Sequence, residues 1–312
     1  MELPWYVAGI IRATIDGVLI GSLFALMAAG LTLVYRVTQV ANFAHAEYVT
    51  YGAYTAYVFA VTLEFGMLGG AIAALIIPGL LAVANDELVF KPLWKRGSSP
   101  LHFLVASIGA GLILRYSLLA FAASVATEFL RIRLPVFPKA IYQIGGIVPV
   151  TYVHIMAPAV AIGATILLHL LFTRTRLGKA MRATASNPTL ARITGINIFL
   201  IRRVTWYIGG ALAGIAGFIY AYYTSANPET GWFFLLWIFA AAIMGGFTFY
   251  GTVISGIILG ILGNVTMFIL NQTIGLSTSY QPAIALVVLV AVLLWRPEGV
   301  IRLQALSLRT RA

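Results

Sequence analysis

Apolar residues in this chain gather into long runs, broken by short polar or basic stretches. The runs fall at 10–35, 43–61, 66–84, 101–122, 152–172, 204–224, 232–248, 252–270 and 280–295. Each lies near or above the roughly 20 residues that an α-helix needs to cross hydrocarbon. A membrane barrel strand would alternate apolar and polar positions, and LIIPGLLAVA (75–84) and ALVVLVAVLLW (285–295) do not. The pattern predicts an all-α polytopic membrane protein with nine spans. Eight is the competing count, with GGFTFYG (245–251) a re-entrant break rather than a true loop.

Composition supports the same class. The 312 residues are 61% hydrophobic and 9% charged, with a mean hydropathy of +0.96, whereas a soluble domain carries about 25% charged residues. The formal charge of +11 would point to nucleic acid in a soluble chain. Here the bases read as topology signals, and no nucleic-acid partner is expected. They cluster in KPLWKRGSSP (91–100) and in 173–203, which holds Arg174, Arg176, Lys179, Arg182, Arg192, Arg202 and Arg203 without an acid. A third group, Arg296, Arg302, Arg309 and Arg311, stands against Glu298 near the C-terminus. Placing all three inside gives an external N-terminus and a cytoplasmic C-terminus for a single transmembrane domain over 1–312. The segment 130–151 is then external, an ordered loop at best. Trp232, Trp237, Tyr222 and Tyr223 fit an interfacial belt. With no cysteine there is no disulfide or thiolate site. The start, MELPWYVAGIIRATIDG, lacks the basic region and cleavage site of a signal peptide and reads as mature sequence.

Polar groups inside the apolar runs are the candidates for chemistry. NFAHAEYVTYGAY (42–54) places Asn42, His45 and Glu47 within six residues. A carboxylate near the bilayer centre costs about 2.5–3.5 kcal/mol even on the lenient insertion scale, so it should face the bundle interior or a watery cavity. One reading is a helix break in which Asn42 satisfies freed backbone groups while His45 and Glu47 line a permeation path or gate. The other makes this segment the cytoplasmic end of two spans, with His45 and Glu47 at the interface near Arg36. Asp16 and Arg115, also embedded in apolar sequence, could form an interior pair. No metal site is expected, because HAE is not HExxH and His102, His154 and His169 lack ligand spacing. The small residues of IGGALAGIAGF (208–218) let helices pack closely.

The basic segment 173–203 carries its own local signals. Residues 178–185 can form a short helix. Asn187 can then cap a second one, Pro188 suits its first position, and Gly195 can close it in the left-handed conformation. Leu190 and Ile193 share a face, Ile196 lies just past the end, and Arg192 points elsewhere. Small side chains at Ala183, Ala185 and Ala191 would let a partner approach. Docking to a partner protein and lying on anionic lipid head groups are both open readings.

LGKAMRATASNPTLARITGI (177–196), followed by TWYIGGALAGIAGFIYA (205–221), resembles the cytoplasmic coupling loop of permease subunits in the branched-chain amino acid ABC transporter family. That family has an NFAHGE-type motif, similar to Asn42–Glu47 here, and DGVLIGSLFALMAAGLTLVYRVTQVANFAHAE (16–47) fits its pattern. WRPEGV (295–300) resembles the family's ending, so the likeness covers about 10–303. It departs at Ala46, where glycine is usual. It departs again where a GGxGSxxG signature stands as GGFTFYG, with Thr248 and Phe249 in place of Gly and Ser.

The resemblance implies the permease subunit of an importer in the plasma membrane, with two ATP-binding subunits, a second permease and an extracytoplasmic solute-binding protein. Coupling would fall to Lys179, Arg182, Asn187, Pro188, Leu190, Ala191, Ile193, Gly195 and Ile196. Asn42, His45, Glu47, Gly245 and Gly246 would belong to the path or gate. The chain has no GxxxxGK[ST] phosphate loop, so it is expected to be no enzyme and to bind no cofactor itself, with ATP and Mg on the partners. The rival reading is an ion-coupled secondary transporter or channel using Asp16, His45 and Glu47.

Overall fold

The computed structural model describes residues 4–135, 140–144, 148–296 and 299–300; Glu298, Arg302, Arg309 and Arg311 lie outside them. Twelve α-helices occur among the described residues: α1 Trp5–Thr38, α2 His45–Tyr57, α3 Gly66–Asn85, α4 Lys91–Lys95, α5 Pro100–Val125, α6 Tyr152–Arg174, α7 Arg176–Ser186, α8 Pro188–Ile193, α9 Ile198–Tyr223, α10 Thr230–Met244, α11 Phe249–Ile274 and α12 Gln281–Trp295. α2 continues through a π-helical turn, Val58–Thr62, and a second such turn, Asp86–Phe90, joins α3 to α4.

Seven helical stretches among the described residues are long and apolar enough to cross a membrane. The nine apolar runs all become helical, but two come out short. α2 has 13 residues and α10 has 15. α2 starts beside the Met27 carbonyl, about 16 Å short of the C-terminal end of α1 at 1.5 Å per residue. GGFTFYG forms a tight turn between α10 and α11. Gly246 and Phe247 are left-handed there, with φ of 59° and 48°, and Thr248 caps α11 by accepting the Gly251 N–H. The Val300 N–H donates to the Met244 carbonyl at 2.9 Å, so residues from the far side of α12 seal this turn. Within 130–151, the described residues hold more regular structure than a loop. Strands β1 Ala140–Ile144 and β2 Val148–Thr151 pair antiparallel. Pro149 is tolerated because a two-stranded ribbon consists only of edges. Ile132 also bridges to Ala226.

Lipid tails are as apolar as leucine, so helices here gain more from close van der Waals approach than from hydrophobic burial. Glycine makes that approach possible. α1 carries Gly17 and Gly21, α11 carries Gly256 and Gly260, and each pair has GxxxG spacing. A Cβ on Gly260 would lie 2.2 Å from the Gly21 Cα. The glycine-rich middle of α9 does the same against two helices at once. A Cβ on Gly214 would lie 2.0 Å from the Ala74 oxygen, and one on Gly217 2.0 Å from the Val49 oxygen. Thr32 and Thr252 bond across α1 and α11 at 3.0 Å. Trp237 is not in an interfacial belt: it is buried and stacked on Phe24, with ring centroids 5.0 Å apart.

Candidate functional site

The start of α2 is built by the residues that make it polar. The Asn42 side-chain oxygen accepts the Ala44 N–H at 3.0 Å, and its carbonyl accepts the His45 N–H at 3.2 Å. A helix beginning inside a bundle leaves N–H groups without intrahelical partners, and Asn42 meets one of them. His45 Nε2 lies 2.9 Å from the Met27 carbonyl oxygen. A carbonyl only accepts, so Nε2 carries the hydrogen. Asn42, His45 and Glu47 are all buried, and His45 bonds at Met27, about two and a half turns along α1 from Arg36.

Glu47, in the first turn of α2, meets Arg115 from the middle of α5. Arg115 donates to Glu47 Oε1 through Nη2 at 2.8 Å and Nε at 3.2 Å. The guanidinium also sits over the Trp232 ring of α10, 4.2 Å from its centroid. Asp16, the partner expected for Arg115, is held elsewhere. Its Oδ1 accepts from His154 Nε2 at 2.9 Å and from the Tyr223 hydroxyl at 3.1 Å, and Arg12 is 3.7 Å from Oδ2. The interior pair expected between Asp16 and Arg115 does not form; Arg115 pairs with Glu47 instead. Asp16 joins α1 to α6 and α9, about 16 Å along α1 from Met27, so Asp16, His45 and Glu47 do not form one constellation. Gly245 and Gly246 lie at the far end of α10 from Trp232, apart from the polar start of α2.

A second buried pair joins α9 to the π-helical turn after α3. Arg202 donates to Asp86 through Nε, at 2.8 and 2.7 Å to the two carboxylate oxygens, and through Nη2 at 2.6 Å. Beside it, Glu87 accepts from Arg203 and Lys91, each at 2.5 Å. The basic segment is accordingly shorter than 173–203, because Arg202 and Arg203 belong to α9 and have acidic partners. The signal was present: Asp86 and Glu87 are the only adjacent acids in the chain.

The remaining linker folds as two capped helices. Thr175 accepts the Gly178 N–H at 3.0 Å, Asn187 the Leu190 N–H at 2.9 Å, and Asn197 the Leu200 N–H at 3.1 Å, so α7, α8 and α9 each start on a side-chain cap. Gly195 is left-handed with φ 86°, and the Ile196 N–H returns to the Ala191 carbonyl at 3.0 Å, closing α8. Met181 and Thr184 face inward while Lys179 and Arg182 are exposed. Ala191 is buried within the chain and offers no surface to a partner. Leu190 and Ile193 do: they are 58% and 77% exposed, side by side on α8. Ile196 is half-buried.

Closely packed spans, polar groups bonded in their interior and a capped helical hairpin between two of them define a multi-pass helical membrane protein. The model of a family described as "Branched-chain amino acid transport system / permease component" matches residues 13–294, and the chain belongs to that family. It is 32% identical over 300 residues to the probable branched-chain amino acid transport permease protein LivH of Methanocaldococcus jannaschii, covering 93% of this chain and 92% of that one. The high-affinity branched-chain amino acid transport system permease protein BraD of Pseudomonas aeruginosa is 28% identical, with 93% and 95% covered. Ribose import permease protein RbsC of Escherichia coli is 35% identical over 128 residues, 38% of each chain. In fold, the chain is similar to a solved structure of PsaBC from Streptococcus pneumoniae in complex with Fab, with TM-score 0.50, 12% identity and 92% of each chain covered. The protein is a multi-pass membrane permease of the ABC importer class, located in the plasma membrane.

Proposed function

We propose that this chain passes branched-chain amino acids, or a similar small polar solute, across the membrane by alternating access. Two separate ATP-binding subunits supply the free energy, holding ATP and Mg between them. A second permease, identical or homologous, completes the path, and an extracytoplasmic solute-binding protein delivers the solute. The observation that carries the coupling reading is the exposed pair Leu190 and Ile193 on α8, held rigid by the Asn187 cap and the Gly195 closure. An amphipathic helix end of this kind lays its apolar face into a groove of a partner, and the exposed Lys179 and Arg182 would meet an acidic rim. On this reading Asn42, His45 and Glu47 shape the path or gate, and the α10–α11 turn at Gly245 and Gly246 moves with it. The similarity to branched-chain amino acid permeases supports the solute class.

The test is co-expression with the ATP-binding subunits. The wild-type permease should retain them through purification and take up leucine only with ATP. Leu190→Asn with Ile193→Asn should release the ATPase and stop uptake while the permease itself stays folded. If that variant is harmless and removal of Lys179 and Arg182 abolishes activity instead, the hairpin is a lipid anchor. ATP-independent uptake by the chain alone would favour an ion-coupled carrier.

A further inference from the structure

Away from the polar start of α2, one corner of the fold gathers bases around an apolar groove. The groove lies between the end of α1, α4, the first turn of α5, the α7–α8 junction and the start of α9. Its free space of about 260 Å³ is roughly 20 times what one water needs, and Val37, Val40, Trp94, Phe103 and Phe199 give it apolar walls. A second hollow is lined by Glu87, Lys91, Lys95 and Arg96. The two meet at Phe199. Lys91 Nζ and Lys95 Nζ stand 5.0 and 5.6 Å from its ring centroid, and Trp94 meets the same ring edge-on. Topology alone does not ask for this arrangement, since bases anywhere on the connection would serve it. Lys91 and Lys95 are four apart on α4, where like charges repel. Glu87 answers Lys91 and Arg203. Lys95 and Arg96 are exposed and have no acidic partner among the described residues. Leu88 and Leu101, before and after α4, are 77% and 66% exposed, so hydrocarbon reaches the same level.

We propose that this corner binds one anionic phospholipid, its phosphate on Lys95 and Arg96 and one acyl chain in the groove. Charge complementarity selects the ligand. Lys91, Lys95, Arg96, Arg202 and Arg203 stand here against only Asp86 and Glu87, so the corner lacks negative charge. An inorganic anion would answer the bases and leave the groove unfilled. A neutral lipid would fill the groove and leave the bases unanswered. A phospholipid with a net negative head group does both, and in the proposed orientation the cytoplasmic leaflet supplies it. Trp94 sets the depth, because an indole settles at head-group level. Thr184 and Pro188 also line the groove, so a chain seated there packs against the junction of α7 and α8 and buttresses the hairpin.

The experiment is native mass spectrometry of the permease, alone and with its ATP-binding subunits, after incubation with equal amounts of phosphatidylglycerol and phosphatidylcholine. Each permease should retain phosphatidylglycerol in preference to phosphatidylcholine. Lys95→Gln with Arg96→Gln should weaken that retention roughly 30-fold, the surface attraction of two bases. Arg174→Gln with Arg176→Gln removes two exposed bases that do not line the groove and should leave retention unchanged. Ser98→Trp fills the groove from the turn between α4 and α5 without touching a charge. It should elute as a single species by size exclusion and still lose the bound lipid. Equal retention of phosphatidylcholine, loss of lipid in the control pair, or a Ser98→Trp protein that holds lipid as the wild type does would overturn the proposal. So would displacement by inorganic phosphate, which marks a plain anion site. Release of the lipid whenever the ATPase is bound would overturn it too, showing the corner to be a docking surface for protein.

Discussion

Burying Asp86 beside Arg202 takes two ions out of water, and only good geometry offsets that cost. Three short hydrogen bonds from one guanidinium to one carboxylate provide it. Removing one partner leaves the other ion stranded, an effect of about 3–5 kcal/mol, whereas replacing both is often neutral. Asp86→Asn should therefore lower the midpoint of thermal unfolding in detergent sharply, and Asp86→Asn with Arg202→Met should recover most of the loss. A double variant as unstable as the single one would mean that the side chains matter for shape and not for charge. His45 poses a smaller question of the same kind. His45→Ala removes its bond to the Met27 carbonyl, which keeps its helical bond within α1, at a cost of about 0.5–1.5 kcal/mol. It should destabilise the start of α2 without changing which solutes are taken up, measured by melting midpoint and by competition uptake.

Single contacts add up differently at the level of helices. Gly195 has a φ of 86° with open space around it, so its role is conformational rather than steric. Gly195→Val forces a β-branched residue into the left-handed region; α8 should lose its closure, and ATP-dependent uptake should fall while the spans stay assembled. Uptake at wild-type rate with retained ATPase would show that α8 needs no fixed end. Gly260→Leu acts on packing instead. With a Cβ already 2.2 Å from the Gly21 Cα, α1 and α11 must separate, and the protein should fail to elute as a single species by size-exclusion chromatography. These two cases also show what a sequence reveals. The α7–α8 hairpin was legible because Asn187, Pro188 and Gly195 act within a few residues of themselves. The α1–α11 contact was not, because a GxxxG spacing marks a close-packing face without naming its partner. Glu47–Arg115 and Asp86–Arg202 are hidden for the same reason, being 68 and 116 residues apart in sequence. α2 and α10 read as full spans because apolar composition gives the length of a run but not the depth at which its helix begins.

For the molecule as a whole, the proposed orientation places the α7–α8 hairpin inside the cell. Ser186 and Thr189 are exposed there, and the chain has no native cysteine. Single cysteines at these positions should react with an impermeant maleimide in inverted vesicles and stay unlabelled in intact cells; labelling from outside would reverse the orientation. The glycine faces of α1 and α11 have a different consequence, one of timing. Most of α1 is covered in the finished protein, yet α11 is among the last helices the ribosome makes. At 5–20 residues per second, roughly 10–50 s pass between the synthesis of Gly21 and that of Gly260. During that interval α1 is in the membrane with its closest-packing neighbour not yet made. Its apolar surface is no liability in lipid, and Ser22 already bonds to the Val18 carbonyl one turn back. Thr32 is different, since its partner Thr252 also arrives late. The first helix of this permease is thus held as a placeholder during biogenesis, and the bundle closes around it only when translation is nearly complete.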